Sequence, residues 1–247
     1  MNGSFLSDGH LLTRYLIAPI RRVEGGPPAL LLCHGFPSGP LDARQSALTF
    51  PELCDRVAGP GIWAAMTFTF RGCGQSEGQF SIAAWLADLR SAIDHLEASV
   101  APSGIFVVGT STGGSLALTA AVDDERVKGI ALLGARADFT EWIDYPHRFL
   151  SHAREIGAIR DSAFPPRFSE WAGEFGKIHP LDAAAKFAPR PLLVLHGSDD
   201  DSVPSSDARR FVDAHGDAEL RLLAGAGHRL RHDPRAIAIL LGWLARQ

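Results

Sequence analysis

Two segments of the sequence place a serine between glycines in the pattern Gly-x-Ser-x-Gly, which is typical of nucleophilic serines. One holds Ser111, within GTSTGG at 109–114, and the other holds Ser76, within GQSEG at 74–78. A nucleophilic serine needs a buried strand that runs directly into a helix, so that its hydroxyl is exposed on a sharp turn. Ser111 follows the apolar run IFVVG and precedes LALTAAV, whereas Ser76 follows a glycine-rich loop. The context favours Ser111 as the nucleophile and Ser76 as a turn residue.

A histidine is the expected partner of such a serine. The hydroxyl is a weak nucleophile at neutral pH, so a general base must accept its proton, and imidazole titrates in the appropriate range. In sheets built from alternating strands and helices, functional groups lie in loops at the carboxyl ends of strands. His228 follows the apolar run ELRLLAG, whereas His215 resembles a helix end closed by Gly216. We predict His228 as the base, with His232 as the alternative.

A carboxylate must orient the base and stabilise the imidazolium ion. Three consecutive candidates, Asp199, Asp200 and Asp201, follow the apolar run PLLVLHG, and only one of them can point at His228. Asp138, after the preceding strand, is another possible placement. A calcium site would need more oxygen ligands than this loop supplies, so we expect no metal and no cofactor.

Acyl transfer through a serine creates an oxyanion, which backbone amides can stabilise. Thr112 directly follows the candidate nucleophile, so its amide is one candidate donor. The loop His34-Gly35-Phe36-Pro37 leaves another apolar run, and the amide of Phe36 is the second candidate. The sequence therefore predicts an oxyanion hole formed by Phe36 and Thr112.

Short apolar runs alternate with helical patterns along most of the chain. These runs are ALLLC (29–33), IWAAMTFTF (62–70), IFVVG (105–109), VKGIALLG (127–134), PLLVLHG (191–197) and ELRLLAG (219–225). Runs of this kind are typical of strands buried in a parallel sheet. Before them, Asp8-Gly9 lies between two apolar segments and predicts a hairpin. We predict an α/β fold with a mostly parallel, doubly wound sheet and an N-terminal antiparallel hairpin.

The stretch 136–190 interrupts this alternation, because it is far longer than a simple crossover between two strands requires. We interpret it as a small cap inserted in a single domain that spans 1–247. It is rich in aromatic residues, and we expect Trp142, Tyr145 and Trp171 to line a substrate pocket above the nucleophile. The alternative is that these rings form the cap's own core.

The composition excludes several classes of protein. Of the 247 residues, 24 are Lys or Arg and 28 are Asp or Glu, a net charge of −4 that offers no basic surplus for nucleic acid or an anionic membrane. Cys33, Cys54 and Cys73 form no CxxC pair, which favours a reducing compartment. The apolar stretch 11–20 lacks the features of a signal peptide, and no run suggests a membrane-spanning helix. We expect a soluble, cytoplasmic protein whose partner is a small molecule; the oligomeric state stays open.

Taken in order, five segments of the chain resemble the successive motifs of the α/β-hydrolase superfamily. They are HGFPSG (34–39), FRGCGQSEG (70–78), GTSTGG (109–114), LLVLHGSDDDSVP (192–204) and GAGHRL (225–230). The family spacing Gly-x-x-Asp-x-x-Val-Pro, placed on Gly197 to Pro204, implies Asp200 as the acid. The loop FRGCGQSEG and the size of the insert resemble the branch that includes cinnamoyl and feruloyl esterases, although Thr69 stands where relatives often have aspartate.

The resemblance implies a serine hydrolase that cleaves esters of short or compact aromatic acids through a Ser111-His228-Asp200 triad. Use of the same triad by a peptidase, an acyltransferase or a carbon–carbon bond hydrolase is an alternative, because fold analogy does not separate these reactions. A protein that only binds a ligand in the pocket is a further alternative. Enzymes of this fold that use aspartate as the nucleophile are disfavoured, because Ser111 occupies that position.

Overall fold

The computed structural model describes residues 1–39, 41–59 and 61–247, with only the backbone described for 43–48. Within these residues one sheet contains eight strands. They are β1 (Asn2–Ser7), β2 (His10–Ile17), β3 (Pro28–Cys33), β4 (Ala64–Phe68), β5 (Gly104–Thr110), β6 (Val127–Leu133), β7 (Leu192–Gly197) and β8 (Glu219–Leu223). The helices are α1 (Asp42–Ala58), α2 (Ile82–Val100), α3 (Thr112–Ala121), α4 (Thr140–Asp144), α5 (Pro146–Glu155), α6 (Phe168–Gly173), α7 (Pro180–Phe187), α8 (Ser206–His215) and α9 (Pro234–Leu244).

The strand order across the sheet is β1-β2-β4-β3-β5-β6-β7-β8. β1 pairs with β2 and β2 with β4 in antiparallel fashion, and every other neighbouring pair is parallel. The predicted fold class is therefore confirmed, including the N-terminal hairpin. The hairpin turns at Asp8 and Gly9, which both have positive φ angles, +46° and +80°. This is the backbone that a two-residue hairpin turn needs and that an Asp-Gly pair tolerates.

Two layers of apolar side chains cover the two faces of the sheet. Helix α2 contributes Trp85, Leu89 and Ile93 to one layer, and Ser81 caps its first turn by accepting a hydrogen bond from the amide of Ala84. Helix α9, capped by Asp233, packs on the other face. Among the described residues, no helix is both long and apolar enough to cross a membrane.

The 136–190 segment contains α4, α5, α6, a short 3-10 helix at Phe175–Lys177, and α7. Helix α7 packs against α3 and α8, so it belongs to the helical layer of the main sheet. The preceding helices α4 and α5 contribute residues to the cavity at the carboxyl ends of the strands. The part of this segment that reaches the cavity therefore lies before α7.

Candidate active site

Ser111 lies on the sharp turn between β5 and α3. Its φ and ψ angles are +49° and −125°, a conformation that residues with a Cβ atom rarely adopt and that costs about 1–3 kcal/mol. The turn is held by a hydrogen bond from the amide of Ser111 to the carbonyl of Leu133 at the end of β6, at 3.0 Å. The sheet thus maintains a strained serine at the start of a helix, as the sequence context predicts.

His228 and Asp200 form a hydrogen-bonded pair. His228 Nδ1 lies 2.8 Å from Asp200 Oδ2; the aspartate side chain is fully buried, whereas 23% of the histidine side chain is exposed. Asp200 follows β7 and His228 follows β8, so two adjacent parallel strands bring the residues together. Because Nδ1 faces the carboxylate, Nε2 of His228 is the nitrogen left for proton transfer.

Several donors stabilise the ionised form of Asp200. Its Oδ1 accepts hydrogen bonds from the amides of Ser202 (2.9 Å) and Val203 (2.8 Å), and Nε2 of buried His196 lies 3.2 Å from Oδ2. Burial alone would raise the pKa of Asp200, but the bonds from His196, His228 and Val203 lower it well below its usual range. The carboxylate therefore stays charged where it faces His228.

The loop after β3 lies directly against the serine turn. A Cβ atom on Gly35 would lie 2.7 Å from Cβ of Ser111, and one on Gly113 would lie 2.3 Å from the carbonyl oxygen of His34. Only glycine permits this approach from either side. It places Phe36 in the wall of the cavity that holds Ser111.

Different parts of the structure position the two predicted oxyanion donors, the amides of Thr112 and Phe36. Thr112 is the first residue of α3, and helix geometry leaves the first amides of a helix without an intrahelical acceptor. The ring of Phe36 packs at 4.8 Å from Phe80 and 4.9 Å from Phe149, between ring centroids, which holds its backbone in place. Both residues line the same cavity as Ser111.

That cavity has a volume of about 1260 Å³ and also contains His228. Trp142 and Tyr145 line it. Trp171 lies elsewhere: it is 3% exposed, and its indole Nε1 donates to the carbonyl of Phe80 at 3.2 Å. The expectation that Trp171 lines the pocket is therefore corrected, because this ring packs in the core behind the cavity wall.

A family model described as "Alpha/beta hydrolase family" matches residues 30–239, which is most of the chain. The chain belongs to the alpha/beta hydrolase family. Two uncharacterized proteins of Mycobacterium tuberculosis are each 28% identical to it over 218 residues. Those alignments cover 86% of this chain but only 66% of the relatives, so the match spans just under two thirds of their length.

Solved structures share the fold over nearly the whole chain. Est1E from Butyrivibrio proteoclasticus with ferulic acid bound has a TM-score of 0.74 at 20% identity, over 99% of this chain and 98% of that one. The meta-cleavage product hydrolase CumD from Pseudomonas fluorescens, in an S103A variant, has a TM-score of 0.68 at 20% identity, over 99% and 97%. At this identity the likeness establishes the hydrolase fold alone.

In this alpha/beta hydrolase the alternative serine and histidines have other contacts. Ser76 is buried outside the cavity, where its Oγ donates to the carbonyl of Thr69 at 2.6 Å. His215 lies at the end of α8, 3.0 Å from the carbonyl of Arg190. His232 does line the cavity, in a short 3-10 helix. Of the predicted and fallback histidines, His228 alone has a carboxylate partner among the described residues.

The alternative carboxylates also have separate partners. Asp138 forms an ion pair with Arg210 at 2.7 Å. Asp199 and Asp201 are exposed and accept hydrogen bonds from the hydroxyls of their serine neighbours. In the described part of the chain, no cluster of three or more His, Cys, Asp or Glu residues could hold a metal ion.

Three residues of this site escaped the sequence analysis. His34 and His196 lie within motifs that were recognised, but neither was given a role. Arg136 follows β6 at the carboxyl end of the sheet, and it lines the cavity. The available signal is a charged residue three positions after a buried strand, at the edge of the sheet where functional groups lie.

His34 is a buried, neutral part of the loop that carries Phe36. Its Nε2 accepts a hydrogen bond from the amide of Phe70 at 3.1 Å, so Nδ1, 2.7 Å from the carbonyl of Gly35, carries the proton. Burial lowers the pKa of His34 to about 4. The folded protein therefore resists protonation of this side chain.

Stability should depend on pH through His34. An unfolded histidine has a pKa of ~6.5, so below that value the unfolded chain binds a proton that the folded chain rejects. The stability that His34 contributes is complete above pH ~6.5, and about 3 kcal/mol is lost as the pH falls toward 4. We expect the difference in unfolding free energy between wild type and His34→Gln to shrink as pH falls, measured by urea titrations from pH 7 to pH 4.

The exposed His179 provides the control, since His179→Gln should follow the wild-type pH dependence. A difference between wild type and His34→Gln that stays constant from pH 7 to pH 4 would contradict this linkage.

Proposed function

We propose that this protein is a serine hydrolase that cleaves carboxylic esters through an acyl-enzyme intermediate. The observation that carries the proposal is the His228–Asp200 pair, whose histidine lines the same cavity as the strained Ser111. A candidate nucleophile, a candidate base beside a buried carboxylate and two candidate amide donors are the groups that acyl transfer requires, and their presence supports the proposal.

In the proposed mechanism, Ser111 Oγ attacks the ester carbonyl carbon while Nε2 of His228 accepts the hydroxyl proton. The carbonyl oxygen becomes an oxyanion, which the amides of Phe36 and Thr112 stabilise. The bond to the alcohol oxygen then breaks, and His228 returns the proton to the leaving alcohol. A water molecule repeats the sequence on the acyl-enzyme, releasing the acid and restoring Ser111. Asp200 stabilises the imidazolium ion throughout.

The walls of the cavity support compact substrates. Trp142 and Phe149 supply apolar surface, stacked at 3.9 Å between ring centroids, but charged side chains such as Arg148 and Glu155 share the same wall. A pocket for long lipid chains would need a continuous apolar lining. We therefore propose short-chain or compact aromatic esters as substrates.

Two tryptophans of the 136–190 segment test this assignment as a matched pair. Trp142→Leu replaces a large side chain of the cavity wall by a smaller one and so widens the cavity. We therefore expect the ratio of kcat/KM for p-nitrophenyl hexanoate to kcat/KM for p-nitrophenyl acetate to rise at least about threefold. Trp171→Leu removes core packing, so it should lower the free energy of unfolding by about 3 kcal/mol while leaving this ratio unchanged. Equal ratios in all three proteins would mean that Trp142 does not limit acyl length.

Fluorophosphonate labelling combined with a hydrolysis panel tests the function itself. We expect the probe to modify Ser111, which would exclude a protein that only binds ligand. The panel should contain p-nitrophenyl esters, aryl esters including hydroxycinnamates, aminoacyl amides and a carbon–carbon bond substrate. Faster turnover of an amide or a carbon–carbon bond than of every ester would replace the proposed reaction with one of the alternatives that share the triad.

A further inference from the structure

Arg136 is fixed beside the catalytic residues by its backbone. Its carbonyl accepts a hydrogen bond from Ser115 Oγ at 2.6 Å, and Ser115 lies one helical turn after Ser111 in α3. The next amide, of Ala137, donates to Asp207 at 2.8 Å. Two residues earlier, a Cβ atom on Gly134 would lie 3.3 Å from Asp200 Oδ2. The loop that carries Arg136 is therefore anchored to the nucleophile helix and to Asp207, and it passes close to Asp200.

The guanidinium of Arg136 lies in the cavity wall without a polar partner. Its central carbon is 4.8 Å from the ring centroid of Trp142 and 5.9 Å from that of Phe139. Its Nε is buried and makes no hydrogen bond. The two terminal nitrogens form neither a hydrogen bond nor an ion pair with any residue that the structure describes. Burial lowers the pKa of Arg136, but a guanidinium stays charged at physiological pH. A partly buried cation without a partner lowers the stability of the folded protein, unless a ligand supplies the opposite charge.

Other arginines of the cavity differ from Arg136. Arg231 is paired with Asp42 at 2.5 Å, and Arg229 lies 3.4 Å from the hydroxyl of Ser38. Arg148 has no such partner among the described residues, but its side chain is exposed, so water solvates it. Arg231 also has a buried Nε without a partner, but its terminal nitrogen pairs with Asp42; among the cavity arginines that the structure describes, Arg136 has a buried Nε and no polar partner for any of its three nitrogens.

The acidic groups near Arg136 do not neutralise it. Asp138 and Asp207 are both bonded to Arg210, at 2.7 and 3.2 Å. Glu141 lines the same cavity, but it is exposed and forms no ion pair with Arg136. Asp200 also contributes to the negative potential at Arg136, but it is hydrogen-bonded to His228, so none of these four carboxylates occupies the guanidinium directly.

We propose that Arg136 binds a carboxylate of the substrate, so that the preferred esters carry a second, ionised carboxyl group. This proposal deepens the proposed ester hydrolysis and rests on it. One unpaired guanidinium supplies a single positive charge, which matches a carboxylate better than a phosphate dianion. A planar carboxylate can also pair edge to edge with the guanidinium while Trp142 remains against its face.

Matched pairs of esters test the proposal on both sides of the scissile bond. For the acyl side we choose mono-p-nitrophenyl adipate against neutral p-nitrophenyl hexanoate, and for the alcohol side p-carboxyphenyl acetate against p-carbamoylphenyl acetate. The measured quantity is the charged-to-neutral ratio of kcat/KM, which does not depend on the fraction of enzyme that is correctly folded. In at least one pair, Arg136→Gln should lower this ratio at least about tenfold relative to wild type, the loss expected for a charge-assisted pair.

Two further variants separate local recognition from general charge. Arg136→Lys keeps the charge but loses the fork of donors, so its ratio should fall between those of wild type and Arg136→Gln. Arg148→Gln removes an exposed charge from the same cavity and should change the ratio less than threefold. An unchanged ratio in Arg136→Gln for both pairs, or an equal loss in Arg148→Gln, would overturn the proposal.

Failure of the carboxylate site and failure of the proposed ester hydrolysis give different results. If wild type hydrolyses neutral esters without any preference that depends on Arg136, ester hydrolysis stands and the carboxylate site is refuted. If no ester is hydrolysed, calorimetric titration of Ser111→Ala with adipate and with benzoate still tests whether Arg136 binds a carboxylate. Binding that the additional Arg136→Gln substitution removes would support the site, and no binding, or binding that this substitution leaves unchanged, would refute it.

Discussion

Replacing Ser111 by alanine is expected to lower kcat for p-nitrophenyl acetate by at least about 10³, because only oxyanion binding and substrate positioning remain. Alanine retains a Cβ atom, so the backbone at φ +49° stays as strained as before. The melting temperature should therefore stay close to that of wild type. Steady-state kinetics and a thermal melt on the same preparation measure both consequences.

Ser76 is the matched control, since it lies in the second Gly-x-Ser-x-Gly segment. Its Oγ donates to the carbonyl of Thr69 at 2.6 Å and accepts from the amide of Thr13 at 3.0 Å. Ser76→Ala should therefore cost about 1–3 kcal/mol of stability through unsatisfied buried groups, with kcat within a few fold of wild type. Loss of turnover in Ser76→Ala together with retention in Ser111→Ala would reverse the assignment of the nucleophile.

Asp200→Asn is expected to lower kcat by about 10³–10⁴, the second large effect. The carboxylate stabilises the imidazolium ion of His228, and an amide cannot supply that charge. Its NH₂ group, if it faces Nδ1, also favours the wrong tautomer of the ring. Nε2 of buried His196, which is 3.0 Å from the carbonyl of Val203, also lies 3.2 Å from Oδ2 of Asp200. An NH₂ group at that position would therefore face two donors, and reduced thermal stability should accompany the kinetic loss.

The two neighbouring aspartates provide controls with the same change of charge. Asp199 and Asp201 are exposed and accept hydrogen bonds from Ser198 and Ser202, so Asp199→Asn and Asp201→Asn should stay within about tenfold of wild-type kcat. Comparable losses in all three variants would indicate that the loop, rather than one carboxylate, is required. The kinetic comparison uses the same ester and pH for each protein.

The main elements could be predicted because each depends on local signals. Buried parallel strands such as 104–110 and 192–197 consist almost entirely of apolar residues, and both were located within a residue or two of their observed ends. Helix α2 has a capping serine and an apolar stripe at helical spacing. A strand of this kind has no solvated face, so its hydrophobicity alone identifies it.

Candidate positions for the triad could also be predicted, since parallel strands end at one edge of the sheet. Local sequence left three consecutive aspartates equivalent, and only the family spacing favoured Asp200. In the structure the difference is tertiary: the side chain of Asp200 is fully buried against two histidines, whereas Asp199 and Asp201 are exposed. Neighbouring residues in a loop point in different directions, and no local pattern specifies which one turns inward.

By itself, the sequence determined the fold class, the hairpin, the strand that presents Ser111 and the loops that carry Asp200 and His228. Only the tertiary structure separated Trp142 in the cavity wall from Trp171 in the core. Only it placed Arg136, which has no polar side-chain partner among the described residues, in the cavity that Ser111 and His228 line. The reason is physical. Hydrophobic periodicity reports whether a residue is buried, and both tryptophans are buried in the same way. Which neighbours a buried side chain meets, and whether a charge finds a partner, depends on segments far apart in the chain.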